Sequence, residues 1–263
     1  MASQSAARLI WMSLPAALFF ATFFLAPMVQ LAATAATDGG SDAYLSILTT
    51  PRHRDSLIAT IIVSTLATLA ALALSTIAAL ALARKRFPGR GVLTALLTFP
   101  LAFPGVVIGF LVIMLGGRVG LIGDLTHAAI GERVVFAYSA VGLFIGYLYF
   151  SIPRVIVTVM AAVEKLDPQL EEAARALGAP AWRVMRDVIL PGLAPALLAS
   201  GAICFATAMG AFGTAFTLAT DIDVLPMTIY TEFTLNANIA GAAGLSIVLG
   251  LVTWGILFLA RSL

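Results

Sequence analysis

The stretch EEAARALGAPAWRVMRDVILPG, Glu171 to Gly192, decides how this chain is read. It holds three acids (Glu171, Glu172, Asp187) and three arginines (Arg175, Arg183, Arg186). Just before it, Asp167 followed by Pro168 marks a helix start: an N-cap acceptor ahead of proline at the first helical position. Glu171 and Glu172 sit near that positive helix end, and Glu171 can pair with Arg175 one turn on. Leu170, Ala173, Ala174 and Leu177 form an apolar stripe at helical spacing. Gly178 ends the helix, since glycine takes a left-handed cap at no steric cost. Ala179-Pro180 open a second helix, Ala181 to Leu190, and Pro191 marks the next break.

What surrounds this polar segment is strongly apolar. Of 263 residues, 61% are hydrophobic and 11% charged, and the mean hydropathy is +1.04. A soluble domain carries roughly 25% charged residues to cover its surface, so the solvent here is mostly lipid. Runs of about 18 or more apolar residues mark membrane-crossing helices. Six are present: about Leu9–Leu31, Ser56–Leu82, Gly91–Gly116, Val134–Ala162, Leu193–Leu218 and Ala240–Ala260. The expected fold is an all-α membrane protein of six transmembrane helices in a single domain, 1–263. The fourth run is long for one crossing, so its C-terminal end is expected to emerge into water.

Charge orients the spans by the positive-inside rule. One set of ends holds 11 basic residues, including Arg84, Lys85, Arg86, Arg90 and Arg175, against 5 acidic ones. The other set holds 4 basic against 8 acidic, among them Asp221, Asp223 and Glu232. Both termini and the charged segment therefore belong on the cytoplasmic side, and the slight basic excess gives no support for nucleic-acid binding. The first run is too long for a signal-peptide core and is expected to be retained. Arg154, near the inner end of the fourth span, is expected to snorkel to the interface. The lone cysteine, Cys204, reads as a small packing residue.

Within the spans, FPLAFPGVVIGF interrupts the third with Pro100, Pro104, Gly105 and Gly109. AMGAFGTAFT places Gly210 and Gly213 beside Phe212 and Thr214 in the fifth. Breakers at membrane depth are tolerated where freed backbone faces protein or a watery cavity. A short helix is expected on Ala43–Leu48, and another in the loop DIDVLPMTIYTEFTLNANIA. On general grounds the charged segment reads as an amphipathic helix pair lying on the membrane or packing on its own bundle, while the small alanines of its first helix leave room for close approach by another surface.

The residue order narrows that choice. Glu172-Ala173-Ala174, three residues, Gly178, nine residues, then Val188-Ile189-Leu190-Pro191 resembles the EAA loop of ATP-binding-cassette importer permeases. The family pattern is E-A-A-x-x-x-G, nine residues, I-x-L-P, and Val188 is the one departure. Ala162 to Pro168 and the placement between spans four and five also look like the family. The loop runs about 163–192.

The resemblance implies a permease subunit in a bacterial inner membrane. Its EAA loop would be a coupling helix docked on a separate ATPase, of which two copies are implied. Glu171, Glu172, Ala173, Ala174, Leu177 and Gly178 would carry that contact. The chain has no G-x-x-x-x-G-K-[ST] phosphate loop of its own, so no enzyme activity, cofactor or metal is expected of it. A second permease chain, a periplasmic solute-binding protein and the lipid bilayer are the other implied partners. The pathway would run past Pro104, Gly105, Tyr147, Met209, Phe212, Gly213 and Thr214, although helix packing accounts for the same residues. Asp221, Asp223 and Glu232 would meet the binding protein or simply face water.

The third and fifth spans look similar to polyamine, sulfate, ferric-iron and phosphonate permeases. No acid or base stands at a midplane position to disclose the substrate's charge, and the lean from this resemblance is to polyamine or a related small polar solute. An ion-coupled secondary transporter or channel is the alternative, but it needs ionisable groups in the bilayer. An intramembrane hydrolase is not supported, since His53 and His127 fall in outer loops and no H-E-x-x-H or G-x-S-x-G is present.

Overall fold

The computed structural model describes residues 2–38 and 40–262, with side chains for 11–38 and 40–260. It is helical throughout, with no strand among the described residues. In chain order come α1 (Ala2–Phe20), a π turn (Ala21–Leu25), α2 (Ala26–Asp38), α3 (Gly40–Thr49) and α4 (Pro51–Arg84). Then follow α5 (Arg90–Thr98), a 3-10 turn (Phe99–Ala102), α6 (Gly105–Gly116), α7 (Leu121–Ile130) and α8 (Ala140–Val163). After these come α9 (Pro168–Ala176), α10 (Ala181–Val184), a π turn (Met185–Ile189), α11 (Leu190–Met209), α12 (Phe212–Leu218), α13 (Leu225–Thr234) and α14 (Ile239–Ser262).

Six helical segments are long and apolar enough to cross a bilayer: Trp11–Asp38, Pro51–Arg84, Gly105–Ile130, Ala140–Val163, Ala181–Met209 and Ile239–Ala260. The expected six-span fold holds, with shifted boundaries. The fourth span gives up residues at its N-terminal end, not its C-terminal one. Ser139 caps α8 by accepting a hydrogen bond from the Val141 amide, so residues 134–139 stay outside the helix. The two short helices expected in the outer loops are α3 and α13.

The chain forms two compact units, residues 1–54 with 228–251 and residues 55–227 with 252–263. In the first, Ala35, Ala43 and Ala243 are buried together and Tyr44 packs against them. The Tyr44 hydroxyl donates to the Ala32 carbonyl at 2.8 Å. Trp11, Phe19 and Phe23 stand exposed, as residues facing lipid do. Glu232 accepts from the side-chain amides of Asn236 and Asn238 at 3.0 and 2.9 Å, and His53 lies 3.6 Å away. His53 is thus a buried helical residue of α4, not a loop histidine.

The second unit is built on small residues that let helices approach closely. Along α4, buried Ser56, Thr60, Ser64, Thr68 and Ser75 recur at helical spacing. Thr60 accepts from the Leu225 amide, and Ser75 donates to the Ile152 carbonyl of α8. Helix α6 packs on α12 and α8, and α11 packs on α8. Tyr147, Leu143, Ile108 and Leu218 are fully buried among them.

Two spans are broken where the sequence placed breakers. The third becomes α5, the 3-10 turn and α6, parted at Phe103 and Pro104, which are extended. The fifth is parted at Gly210 and Ala211, between α11 and α12. The expected break at Pro191 is absent. In the π turn Met185–Ile189 the Leu190 amide bonds five residues back to Met185. This wider turn absorbs the missing proline donor without ending the helix. Residues Ala181 to Met209 therefore run as one helical segment, and the charged loop leads straight into the fifth span.

Candidate functional site

Two regions of the second unit carry features that packing alone does not require. The first is the charged loop. Asp167 caps α9 by accepting from the Gln169 amide at 2.9 Å, with Pro168 next. At the other end Gly178 has φ +81°. The Ala179 amide donates to Ala174 at 3.1 Å and the Gly178 amide to Arg175 at 2.9 Å. This is a Schellman closure, and it needs a residue that accepts left-handed backbone. The bend expected at Gly178 is present.

The two glutamates of the loop point to different tasks. The Glu171 carboxylate is held by both terminal nitrogens of Arg84, from the end of α4. Arg175 lies farther off, at 3.9 Å. The local pair expected from sequence is secondary to a long-range one that spacing within the loop does not reveal. Glu172 and Ala173 are exposed, and Ala174 is half-buried against the α8–α11 core. Leu170 is 58% and Leu177 89% exposed, so the apolar stripe of α9 is mostly uncovered by this chain. A hollow of about 580 Å³ lies between the loop and the ends of α4 and α8, lined by Arg84, Arg86, Glu164, Glu171, Glu172 and Arg175.

The second region is a cleft of about 390 Å³ at the two helix breaks. Pro100, Leu101, Phe103, Gly105 and Val106 line it from the third span, and Gly210, Ala211, Phe212, Gly213 and Thr214 from the fifth. Of the residues proposed for a pathway, Gly105, Phe212, Gly213 and Thr214 are brought together here. Tyr147 and Met209 are fully buried in the helix packing, and Pro104 caps α6 without lining the cleft.

Arg154 also lines this cleft, and that overturns the expectation that it snorkels to the interface. Its Nη1 donates to the Thr207 hydroxyl of α11 at 2.8 Å, which turns the side chain into the protein. A base therefore stands beside the two helix breaks. The signal in the sequence was an arginine directly after Pro153, the sole charged residue of an otherwise apolar helix.

Of the outer acids, Asp221 is exposed beside Arg118 and Tyr138, where the Arg118 guanidinium lies 5.8 Å from the Tyr138 ring centre. Asp223 is likewise exposed. Glu232 is committed within its own unit to Asn236 and Asn238.

Residues 71–263 match the family described as binding-protein-dependent transport system inner membrane component. The chain is 34% identical over 206 residues to the molybdenum transport system permease protein ModB of Escherichia coli (strain K12), covering 77% of this chain and 89% of that protein. It is 32% identical over 179 residues to the sulfate transport system permease protein CysT of the same strain, covering 68% of this chain and 64% of that one. A bacterial ABC transporter involved in the import of the acidic polysaccharide alginate superposes with a TM-score of 0.83 at 19% identity, over 100% of this chain and 98% of that chain. At that identity the likeness speaks for the fold. The lean toward polyamines finds no support in these relatives, which are named for molybdenum and sulfate.

Proposed function

The chain belongs to the binding-protein-dependent transport system inner membrane components, the permease subunits of ATP-binding-cassette importers, and from that premise we propose that it conducts a tetrahedral oxyanion inward on the power of a separate ATPase. The observation that carries the coupling role is the uncovered face of the α9 loop. Leu177 stands 89% exposed beside Glu172 and the left-handed Gly178. A leucine this exposed at the C-cap of a helix is uneconomical in water and suits a partner's groove.

ATP closing a pair of ATPase subunits would pull on this loop. Because Ala181 to Met209 is one helical segment, the pull reaches the Gly210 break directly. Arg84 holding Glu171 would carry the same motion into α4. The spans then shift between two states, and nucleotide biases the population. A second permease chain would complete the pathway and a periplasmic protein would deliver the solute. For the alginate relative, such a complex with a solute-bound periplasmic protein has been solved. The molybdenum and sulfate relatives support an oxyanion as solute. By the charge asymmetry of the loops, both termini lie in the cytoplasm.

The test is a pull-down of the tagged chain from its native membranes, with ATPase activity and uptake of radiolabelled molybdate and sulfate measured on the eluate in proteoliposomes. The expected result is a copurified ATPase whose activity a loaded binding protein stimulates. A chain recovered intact with no ATPase, under conditions that hold other importers together, would sink the coupling role.

A further inference from the structure

We propose that the Arg154 guanidinium, anchored on Thr207 inside the cleft at the two helix breaks, is the group that pairs with the oxyanion as it crosses. The inference rests on the oxyanion reading above and adds to it the residue that enforces it.

Arg154 lies 14 residues into α8 and 9 from its end, or about 21 and 14 Å along the axis at 1.5 Å per residue. In a hydrocarbon core of about 30 Å that is membrane depth. A charge there is costly, and in a working protein it faces a partner or a pathway. Among the described residues Arg154 has no carboxylate within ion-pair range; its guanidinium meets the Thr207 hydroxyl and the Cys204 thiol.

The Thr207 hydroxyl gives its proton to the Ile203 carbonyl at 2.7 Å and accepts from Arg154. The Thr214 hydroxyl gives its proton to the Gly105 carbonyl at 3.2 Å. Both hydroxyl protons in the lining are spent. The guanidinium has five N–H donors in a planar fork; Thr207 takes one and the Cys204 thiol another. What the cleft offers a solute is thus a cation with donors to spare and no anionic acceptor.

That chemistry selects. A tetrahedral dianion takes two parallel N–H···O bonds from a guanidinium, the strong and geometrically specific mode. A polyamine would meet an uncompensated positive charge in a low-dielectric cleft, so Arg154 opposes the cationic substrate suggested by the broken spans. The cleft, at about 390 Å³, has room for an ion with several waters at about 30 Å³ each. One monovalent partner for a dianion also keeps binding weak enough for release, as conduction demands.

The test uses the complex copurified from native membranes, reconstituted with ATP inside and loaded binding protein outside. Initial uptake of radiolabelled molybdate and sulfate is measured for wild type, Arg154→Gln and Arg154→Lys, beside binding-protein-stimulated ATP hydrolysis. Arg154→Gln is expected to slow uptake by about tenfold or more and Arg154→Lys by less, while hydrolysis stays within about twofold in both. A charge-pairing role requires Arg154→Lys, which keeps the charge, to outperform Arg154→Gln; a merely structural arginine gives equal losses in the two. Uptake by Arg154→Gln equal to wild type, or uptake and hydrolysis collapsing together in both variants, would overturn the assignment and leave the oxyanion reading standing. A wild type that hydrolyses ATP but carries neither anion would overturn the oxyanion reading and the role of Arg154 with it.

Discussion

The guanidinium of Arg84, in the last turn of α4, holds the carboxylate of Glu171, in the first turn of α9, by two prongs, with Nη1 to Oε2 at 2.8 Å. The side chain of Glu171 is only 12% exposed, so it faces inward while Glu172 faces out. The pair pins the charged loop to the second span across 87 residues of sequence. Arg84→Gln and Glu171→Gln are each expected to lower coupled uptake by about three- to tenfold while leaving membrane insertion unchanged. The exchanged pair Arg84→Glu with Glu171→Arg should recover most of it. Uptake in proteoliposomes and limited proteolysis of the loop measure both points. Single variants indistinguishable from wild type would show that α4 takes no part in coupling.

Leu177 makes the complementary case, because the described residues leave it almost bare. At 89% exposure its replacement by Asp should leave folding and membrane yield unaffected. If a partner's groove buries it, the loss is about 1.5–3 kcal/mol of transfer free energy, or about 10- to 150-fold in affinity. Titration of the purified permease with its ATPase reads this directly. Full affinity in Leu177→Asp would remove the apolar stripe from the docking surface.

Gly178 tests backbone geometry without contacts. An added Cβ would meet nothing within 4 Å, so any cost of substitution comes from φ +81° alone. Gly178→Ala should cost about 1–2 kcal/mol at the bend. Gly178→Asn should cost less, since asparagine tolerates left-handed backbone. Gly178→Pro should cost most, because proline cannot adopt that φ and loses the bond to Arg175. Copurified ATPase is expected to fall in the order wild type, Asn, Ala, Pro. An Ala variant below Pro would contradict a purely conformational role.

The six spans were legible because a 20-residue apolar helix has a signal that survives loss of all other detail. So was the Gly178 bend, since a cap and a left-handed glycine are local facts. Pro191 misled for the same reason: local chemistry forbids helix there, and a π turn upstream evades the prohibition at the cost of one wide turn. The Arg84–Glu171 pair and the Arg154–Thr207 bond were not legible, because both join segments that only the packing of α4, α8, α9 and α11 brings together. Tyr147 and Met209 show the converse. Their residue types suit a pathway, yet the helix faces they occupy turn them into the core.

The contact of α6 with α12 forms the wall of the cleft, and it depends on glycines on both helices. A Cβ on Gly213 would come 3.1 Å from the Val106 amide nitrogen, and one on Gly105 would come 2.9 Å from the Thr214 hydroxyl. At Gly109 an added Cβ would collide with the Thr217 side chain, whose own Cβ would stand 2.7 Å away. Gly109→Ala is therefore expected to push the helices apart and destabilise the fold by about 1–3 kcal/mol. Pairing it with Thr217→Ala should not restore stability, since that change leaves the offending Cβ in place. Pairing it with Thr217→Gly should restore most of it. The order is read from thermal aggregation in detergent, with uptake alongside. Gly109→Ala as stable as wild type would mean that α6 and α12 do not meet in this register, and the cleft they enclose would have to be redrawn.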